Sequence, residues 1–227
     1  MFKLKELQFL LLIIFVASSC QKGKNGFVNK TLNSIGFNST NNKEALTINE
    51  IQNYIIDPSN GLVKTKQINE FKYQIKYKPV DYVIASEVSE KHVITKKEYL
   101  EKLQELDGLQ YFDIRIEVDG LNGELIKYNL SSEIEYERRV EYLAFKMQND
   151  IKLIDGSDTS DCVLYHMERA YDVVPYATIL LGFKKSKDIN GLNDKTIVFR
   201  DYLFNNGIIK FTFIPADIQR VPNLQII

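Results

Sequence analysis

Few side chains in this sequence are suited to act as nucleophiles or metal ligands. The 227 residues include two cysteines and two histidines, and Cys162 and His166 stand four positions apart in a predicted strand. Side chains at even spacing along a strand share one face, so a thiolate–imidazole pair or half of a metal site is one interpretation. Because cysteine is among the most frequently buried residue types, we favour a core position for Cys162. His92 lies in a polar segment and is expected on the surface.

A short acidic segment is the second candidate site. Residues 155–161 contain three carboxylates, Asp155, Asp158 and Asp161, together with three hydroxyl side chains. Oxygen-rich loops bind calcium, but this segment lacks the glycine and the glutamate that the EF-hand spacing requires. Asp, Ser and Gly are also the ordinary residues of turns. We therefore favour a solvated turn, and the sequence predicts neither a metal site nor a cofactor.

Motifs of the common enzyme classes do not occur in the sequence. Acids such as Glu117 and Asp119 are candidates for a glycosidase, which holds two carboxylates across a cleft, but these two alternate along one predicted strand and the chain has no tryptophan to stack on a sugar. The nucleophile elbow, the phosphate loop, the dinucleotide fingerprint and the zincin motif are missing as well. The sequence favours a non-enzymatic protein and leaves an anchored hydrolase as the least favoured alternative.

Tyrosine is the enriched residue type that suggests binding. Two groups among the 13 tyrosines lie near turns: Tyr73 and Tyr77 beside several lysines, and Tyr171 and Tyr176 beside a Val-Val-Pro turn. Tyrosine combines a large contact area with a polar tip and concentrates at interfaces. Half-buried strands also favour aromatic residues for packing alone, and we favour that interpretation for most of the tyrosines. If a partner surface exists, these four tyrosines are predicted to contribute to it before any carboxylate.

Local patterns predict the elements that position these side chains. Three segments begin with Thr or Ser followed three residues later by Glu, which is the capping box of a helix N-terminus, at Thr47, Thr95 and Ser132. Alternation of apolar and polar residues predicts four hairpins. Their strands cover residues 62–68 with 71–77, 114–118 with 124–130, 162–169 with 177–184, and 196–204 with 208–214, the last pair joined by an Asn-Asn-Gly turn. The expected fold class is α+β, an antiparallel sheet built from hairpins with about three amphipathic helices packed on it.

The first twenty residues form a separate feature. Lys3 and Lys5 precede a seven-residue apolar run, and the small residues Ala-Ser-Ser lead into Cys20. The run is too short to span a bilayer, which needs about 20 apolar residues, and its flanks are typical of a secretory signal. The segment that ends at Cys20 resembles the lipobox of bacterial lipoproteins. This resemblance implies removal of residues 1–19 and acylation of Cys20, with palmitate among the attached chains.

The resemblance also implies a domain organisation and a location. Residues 1–19 are then the signal peptide, residues 20–45 a flexible tether that carries the lipid on Cys20, and residues 46–227 a single globular α+β domain. In lipoproteins of Gram-negative bacteria the residue after the cysteine influences sorting. Gln21 is not the aspartate of inner-membrane retention, so the implied location is the outer membrane, facing the periplasm. The cell surface is the alternative.

The net charge of the domain and the implied lipid anchor together restrict the classes of function that the sequence favours. Residues 46–227 hold 23 basic and 28 acidic side chains, and this mildly acidic balance argues against a nucleic-acid partner, which needs a clustered basic face. A lipid anchor keeps a domain permanently at one membrane and raises its local concentration there. We expect a non-enzymatic, membrane-anchored lipoprotein that acts as a binding or assembly subunit with another cell-envelope protein. A binding module for a small molecule or a glycan is the alternative.

Overall fold

The computed structural model describes residues 44–168, 174–186 and 193–227. The strands are β1 (Ala45–Leu46), β2 (Val63–Ile68), β3 (Phe71–Lys78), β4 (Leu109–Val118), β5 (Ile151–Asp155), β6 (Asp158–Glu168), β7 (Tyr176–Lys184), β8 (Lys195–Asp201), β9 (Gly207–Phe213) and β10 (Asn223–Leu224). The helices are α1 (Ile48–Ile56), α2 (Val80–Ser86), α3 (Lys96–Leu106), α4 (Glu133–Glu141) and α5 (Pro215–Gln219). Strands β1 and β10 form a short parallel pair, and the other strands form one antiparallel sheet in the order β2-β3-β4-β7-β6-β5-β8-β9.

The large sheet curls until its two edge strands, β2 and β9, approach each other. Lys66 on β2 places its Nζ atom 5.7 Å from the ring centroid of Phe211 on β9. Beside them, the Nδ2 atom of Asn69 donates a hydrogen bond of 3.2 Å to Oδ1 of Asn206. A lysine on an edge strand discourages pairing with a foreign strand. The sheet is therefore a nearly closed, barrel-like structure with a lysine at its seam.

The predicted α+β class is wrong. Strands hold more of the described residues than helices do, and the helices are short. The capping predictions themselves are confirmed, since the hydroxyls of Thr47, Thr95 and Ser132 each accept a hydrogen bond from the amide three residues later. What local patterns do not contain is the twist that accumulates over eight strands and brings the sheet edges together. The helix that begins after Ser132 is α4. Its α-helical part ends at Glu141, and a π-helical turn follows over Tyr142–Lys146.

Two of the predicted hairpins need correction as well. Residues 124–130 do not form a strand: a 3₁₀ turn covers Leu125–Lys127, where two consecutive apolar side chains are both buried, a pattern that strand alternation does not allow. The pairing of β8 with β9 is confirmed, but residues 202–206 connect the strands in place of a two-residue Asn-Gly turn. The buried carboxylate of Asp201 organises this longer loop by accepting hydrogen bonds from the amides of Leu203 and Phe204.

Side chains fill the interior of the barrel. The largest fully buried ones there are Tyr73, Phe112, Phe183, Phe199, Phe211 and Phe213. The ring of Phe112 lies near the centre of this set, with its centroid 5.8 Å from that of Phe183 and 5.7 Å from that of Phe213. In the described part of the chain the inside of the barrel is thus a packed core.

A second apolar cluster joins the first three helices to the chain ends of the domain. Its fully buried members include Ile51, Ile55, Leu62, Ile84 and Ile94. The carboxylate of Asp81 on α2 accepts hydrogen bonds from the hydroxyl of Tyr99 (2.7 Å) and from the amide of Leu224 on β10 (2.8 Å). Tyr77 packs against both apolar clusters. The helical layer is therefore attached at the end of the barrel where β3 leaves the sheet.

Candidate functional site

The outward side chains of β3, β4 and β7 form regular rows across the sheet. Antiparallel pairing sets Gln74 opposite Arg115, and Arg115 in turn opposite Thr178. The neighbouring rows contain Lys76 with Asp113, and Lys72 with Glu117 and Tyr176. We call this surface the cationic face and define it by Lys72, Gln74, Lys76, Lys78, Asp113, Arg115, Glu117, Tyr176 and Thr178. Rows of this kind arise because alternate residues of a strand point to the same side of the sheet.

Two carboxylates organise the charges of the cationic face. Asp113 lies between Lys76 (3.1 Å) and Lys78 (3.2 Å). Glu117 lies between Lys72 (2.6 Å) and Arg115 (2.7 Å). Four basic and two acidic side chains give this surface a formal charge of +2, whereas residues 46–227 as a whole sum to −5. This face is thus positive, whereas the domain as a whole is negative.

Two charged groups of this face, Glu117 and Lys76, have pKa values shifted in the direction that favours their charged forms. Burial acts to raise the pKa of Glu117, but Lys72 and Arg115 outweigh it and keep that pKa below its usual value. Burial likewise acts to lower the pKa of Lys76, but Asp113 and the Tyr82 hydroxyl raise it above its usual value. Opposite charges within a few ångströms favour the charged forms of both partners.

Aromatic rings hold two of the cations in place. The guanidinium carbon of Arg115 lies 3.5 Å from the ring centroid of Tyr176, in a stacked cation–π contact. The Nε atom of Arg115 is buried and has no hydrogen-bond partner among the described residues. The Nζ atom of Lys76 lies 3.1 Å from the hydroxyl of Tyr82 and 5.1 Å from the centroid of its ring. Both side chains are therefore ordered before any ligand arrives.

An open depression lies between the rows. Its volume is about 140 Å³, and its lining residues are Gln74, Lys76, Asp113, Arg115, Tyr176 and Thr178. Pockets for whole small molecules have volumes of about 300–1,000 Å³. The depression is therefore suited to one polar group of a larger ligand and not to a complete ligand.

The predicted tyrosines are not brought together on this surface. Tyr73 is fully buried, and its hydroxyl donates to Asp201 (2.6 Å) and accepts from the side-chain amide of Asn206 (2.7 Å). Tyr77 points into the barrel, and burial raises its pKa to about 12. Tyr176 lies on the cationic face. Tyr171 falls outside the described residues, as does Cys20.

Sequence reasoning missed Lys76, Asp113 and Arg115 as members of one site. The signal that places them on the outside was visible, because each alternates with buried aliphatic or aromatic neighbours along its strand. What was missing is the register between β3 and β4, which sets Lys76 opposite Asp113. Register depends on the whole sheet and cannot be taken from either strand alone.

Cys162 and His166 do not share a face, so that prediction is wrong. Cys162 pairs with Phe183 and Leu164 pairs with Gly182, which leaves one extra residue in β6. A bulge of this kind shifts the alternation of side chains by one position. Cys162 is therefore buried while His166 is exposed on the outside. The predicted core position of Cys162 is confirmed, and burial raises the pKa of its thiol to about 11, so it stays protonated at neutral pH.

The acidic segment 155–161 spans the end of β5, the two-residue turn at Gly156 and Ser157, and the start of β6. Its turn is confirmed, but Asp155 is buried and accepts hydrogen bonds from Gln110 and Lys195. Asp161 pairs across the hairpin with Lys152. The carboxylates are thus directed to different partners, and the described residues contain no group of three or more Cys, His, Asp or Glu side chains arranged to hold a metal ion.

Comparison with known proteins gives one remote structural similarity. No protein-family model matches this sequence, and no curated protein does. The crystal structure of a novel protein of unknown function from Burkholderia pseudomallei K96243 is similar with a TM-score of 0.37 and 11% sequence identity, and the alignment covers 78% of this chain and 94% of that chain. A similarity of that size carries no conclusion about function. Among the described helices, none has the length and apolarity needed to cross a membrane.

Proposed function

We propose that this chain is a non-enzymatic lipoprotein that is anchored through Cys20 to the periplasmic leaflet of the outer membrane and binds an acidic surface of another envelope protein. The observation that carries the proposal is the cationic face: a formal charge of +2 on three neighbouring strands of a domain whose overall sum is negative. Complementary charge of this kind steers association and selects partners. The binding surface is thus the outside of β3, β4 and β7.

Two further observations favour a binding surface over the alternatives. Arg115 and Tyr176 belong to the residue types that dominate binding energy in protein interfaces, and their stacking fixes them in advance. Preordered side chains lose less conformational entropy on binding. The depression of about 140 Å³ is too small to enclose a complete sugar or metabolite, so this surface is better suited to one group of a larger partner. A protonated Cys162 thiol is also a poor nucleophile, because the thiolate is the reactive form.

Purification of the tagged, acylated protein from its own membranes in mild detergent tests the partner. The informative variant is Lys76→Met with Arg115→Leu. It leaves each carboxylate of the face one cation, because Asp113 keeps Lys78 and Glu117 keeps Lys72. The matched control is Lys97→Met on α3, where the lysine side chain is 86% exposed. We expect wild type and control to retain one stoichiometric envelope protein, identified by mass spectrometry, and the double variant to lose it.

The outcomes separate the parts of the proposal. A stoichiometric partner that also remains with the double variant contradicts the assignment of the cationic face. Absence of any partner from the wild-type preparation contradicts the assembly role. The anchor is tested independently by Cys20→Ala, which should abolish metabolic labelling with palmitate and release the protein from the membrane fraction. Labelling that persists in Cys20→Ala contradicts the lipobox interpretation.

A further inference from the structure

We infer that the depression on the cationic face is a subsite for a single carboxylate, supplied by an Asp or Glu side chain of the protein partner. This inference rests on the proposed function and names the group that the partner contributes. Five of the lining residues carry hydrogen-bond donors: Gln74, Lys76, Arg115, Tyr176 and Thr178. Three of these, Gln74, Arg115 and Thr178, stand in one row across three strands, and Lys76 belongs to the adjacent row.

The supply of donors in the depression exceeds the supply of acceptors. Arg115 has five N–H groups and Lys76 has three. The contacts of these two side chains with Glu117, Asp113 and the Tyr82 hydroxyl use only some of their N–H groups. Each oxygen of the Asp113 carboxylate already faces a lysine, one facing Lys76 and the other Lys78. A further acceptor is therefore what this surface lacks, and an anionic acceptor gains the most because charge-assisted hydrogen bonds are the strong ones.

The size of the depression selects the group. The depression has a volume of about 140 Å³ and is open to solvent. A carboxylate with one or two methylenes enters such a depression, whereas pockets for whole small molecules have volumes of about 300–1,000 Å³. The ring of Tyr176 forms one wall and gives those methylenes an apolar surface. The carboxylate then lies between Lys76 and Arg115, and the negative charge of Asp113 is offset by its two lysines.

The absence of tryptophan from the chain supplies a direct reporter. Tyr176→Trp places a unique fluorophore on the wall of the depression and keeps an aromatic ring over Arg115. The full-length acylated variant is titrated in neutral detergent with hexaglutamate, with hexalysine and with an oligogalacturonate, an acidic glycan. We expect a saturable change in fluorescence with hexaglutamate, none with hexalysine, and competition by acetate. Calorimetric titration of the unmodified protein with hexaglutamate shows whether the reporter itself alters binding.

Substitutions in the reporter background locate the interaction. Arg115→Leu should weaken hexaglutamate binding by about tenfold or more, since a hydrogen bond to a charged group contributes about 1.5–3 kcal/mol. Thr178→Val should cause a smaller loss, and Lys97→Met should leave the affinity unchanged. Lack of response to hexaglutamate in both titrations overturns the inference, and so does a response that Arg115→Leu leaves intact.

The remaining outcomes distinguish this inference from the proposed function. Binding of oligogalacturonate without binding of hexaglutamate overturns the protein source of the carboxylate. If a partner copurifies through the cationic face but hexaglutamate does not bind, the inference fails while the proposed function stands. If hexaglutamate binds at Arg115 and no partner copurifies, the carboxylate subsite is supported and the assembly role fails.

Discussion

The two faces of β3, β4 and β7 differ sharply although they belong to the same strands. On the inside, Ile75, Ile114 and Ile179 face one another across the sheet and are fully buried. The sequence neighbours of these isoleucines, Gln74, Arg115 and Thr178, form a row on the outside. Their side chains are half-buried and line the depression. Stability and recognition are therefore assigned to opposite faces of the same strands by the alternation of inward and outward side chains.

The energies of the two faces support this separation. Burial of one isoleucine contributes about 1.5–3 kcal/mol to folding, whereas ion pairs whose side chains are 15–39% exposed gain little net free energy, because the loss of solvation offsets much of their attraction. The four ion pairs of Lys72, Lys76, Lys78 and Arg115 are therefore a weak device for stability. Their ordered arrangement is better explained by a role in binding.

The largest effect is expected inside the barrel, from Phe112→Ala. Phe112 is fully buried and its ring contacts Tyr77, Phe183 and Phe213. Loss of the ring leaves a cavity, which costs about 3–5 kcal/mol. Guanidinium unfolding should show this loss, while Gln74→Ala on the outside should change the free energy of unfolding by no more than about 0.5 kcal/mol. A cost below about 1 kcal/mol for Phe112→Ala contradicts a packed interior.

The second prediction compares a lysine in a buried ion pair with a lysine of the cationic face. Lys195 is 11% exposed and pairs with Asp155, whose side chain is 4% exposed. Lys195→Met leaves that carboxylate buried without its cation, which costs about 3 kcal/mol. A larger loss is prevented because Gln110 still donates a hydrogen bond to the carboxylate. Lys76→Met leaves Asp113 paired with Lys78, so the expected cost is about 0–1 kcal/mol. Chemical denaturation of both variants gives the comparison, and equal costs contradict the difference between the two faces.

Local sequence patterns predicted the elements of this fold better than their assembly. The helix starts at Thr47, Thr95 and Ser132 follow from capping chemistry within four residues. The closure of the sheet, the bulge at Val163 and the loop around Asp201 depend on contacts between residues far apart in the chain. No local pattern contains them, and the predicted α+β sheet was wrong for that reason.

The candidate site shows the same limit. Tyr73 and Tyr176 are chemically identical in the sequence and were predicted as equivalent, yet one lies inside the barrel and the other on its surface. Alternation with Phe71 and Ile75 indicates an inward position for Tyr73. The contact of Tyr176 with Arg115 required the register of β4 with β7.

The smallest of the predicted stability effects tests that pair of tyrosines. Tyr73→Phe removes a buried hydroxyl that bonds to Asp201 and Asn206, which costs about 1–3 kcal/mol, whereas Tyr176→Phe should cost no more than about 0.5 kcal/mol. Burial and Asp201 raise the pKa of Tyr73 above its usual value near 10. The stability that this hydroxyl provides is therefore fully present below pH 10 and is lost as the pH rises toward the folded-state pKa, because the unfolded chain ionises first. The free energy of unfolding should fall less steeply between pH 8 and pH 10.5 in Tyr73→Phe than in wild type, and equal slopes contradict a raised pKa for Tyr73.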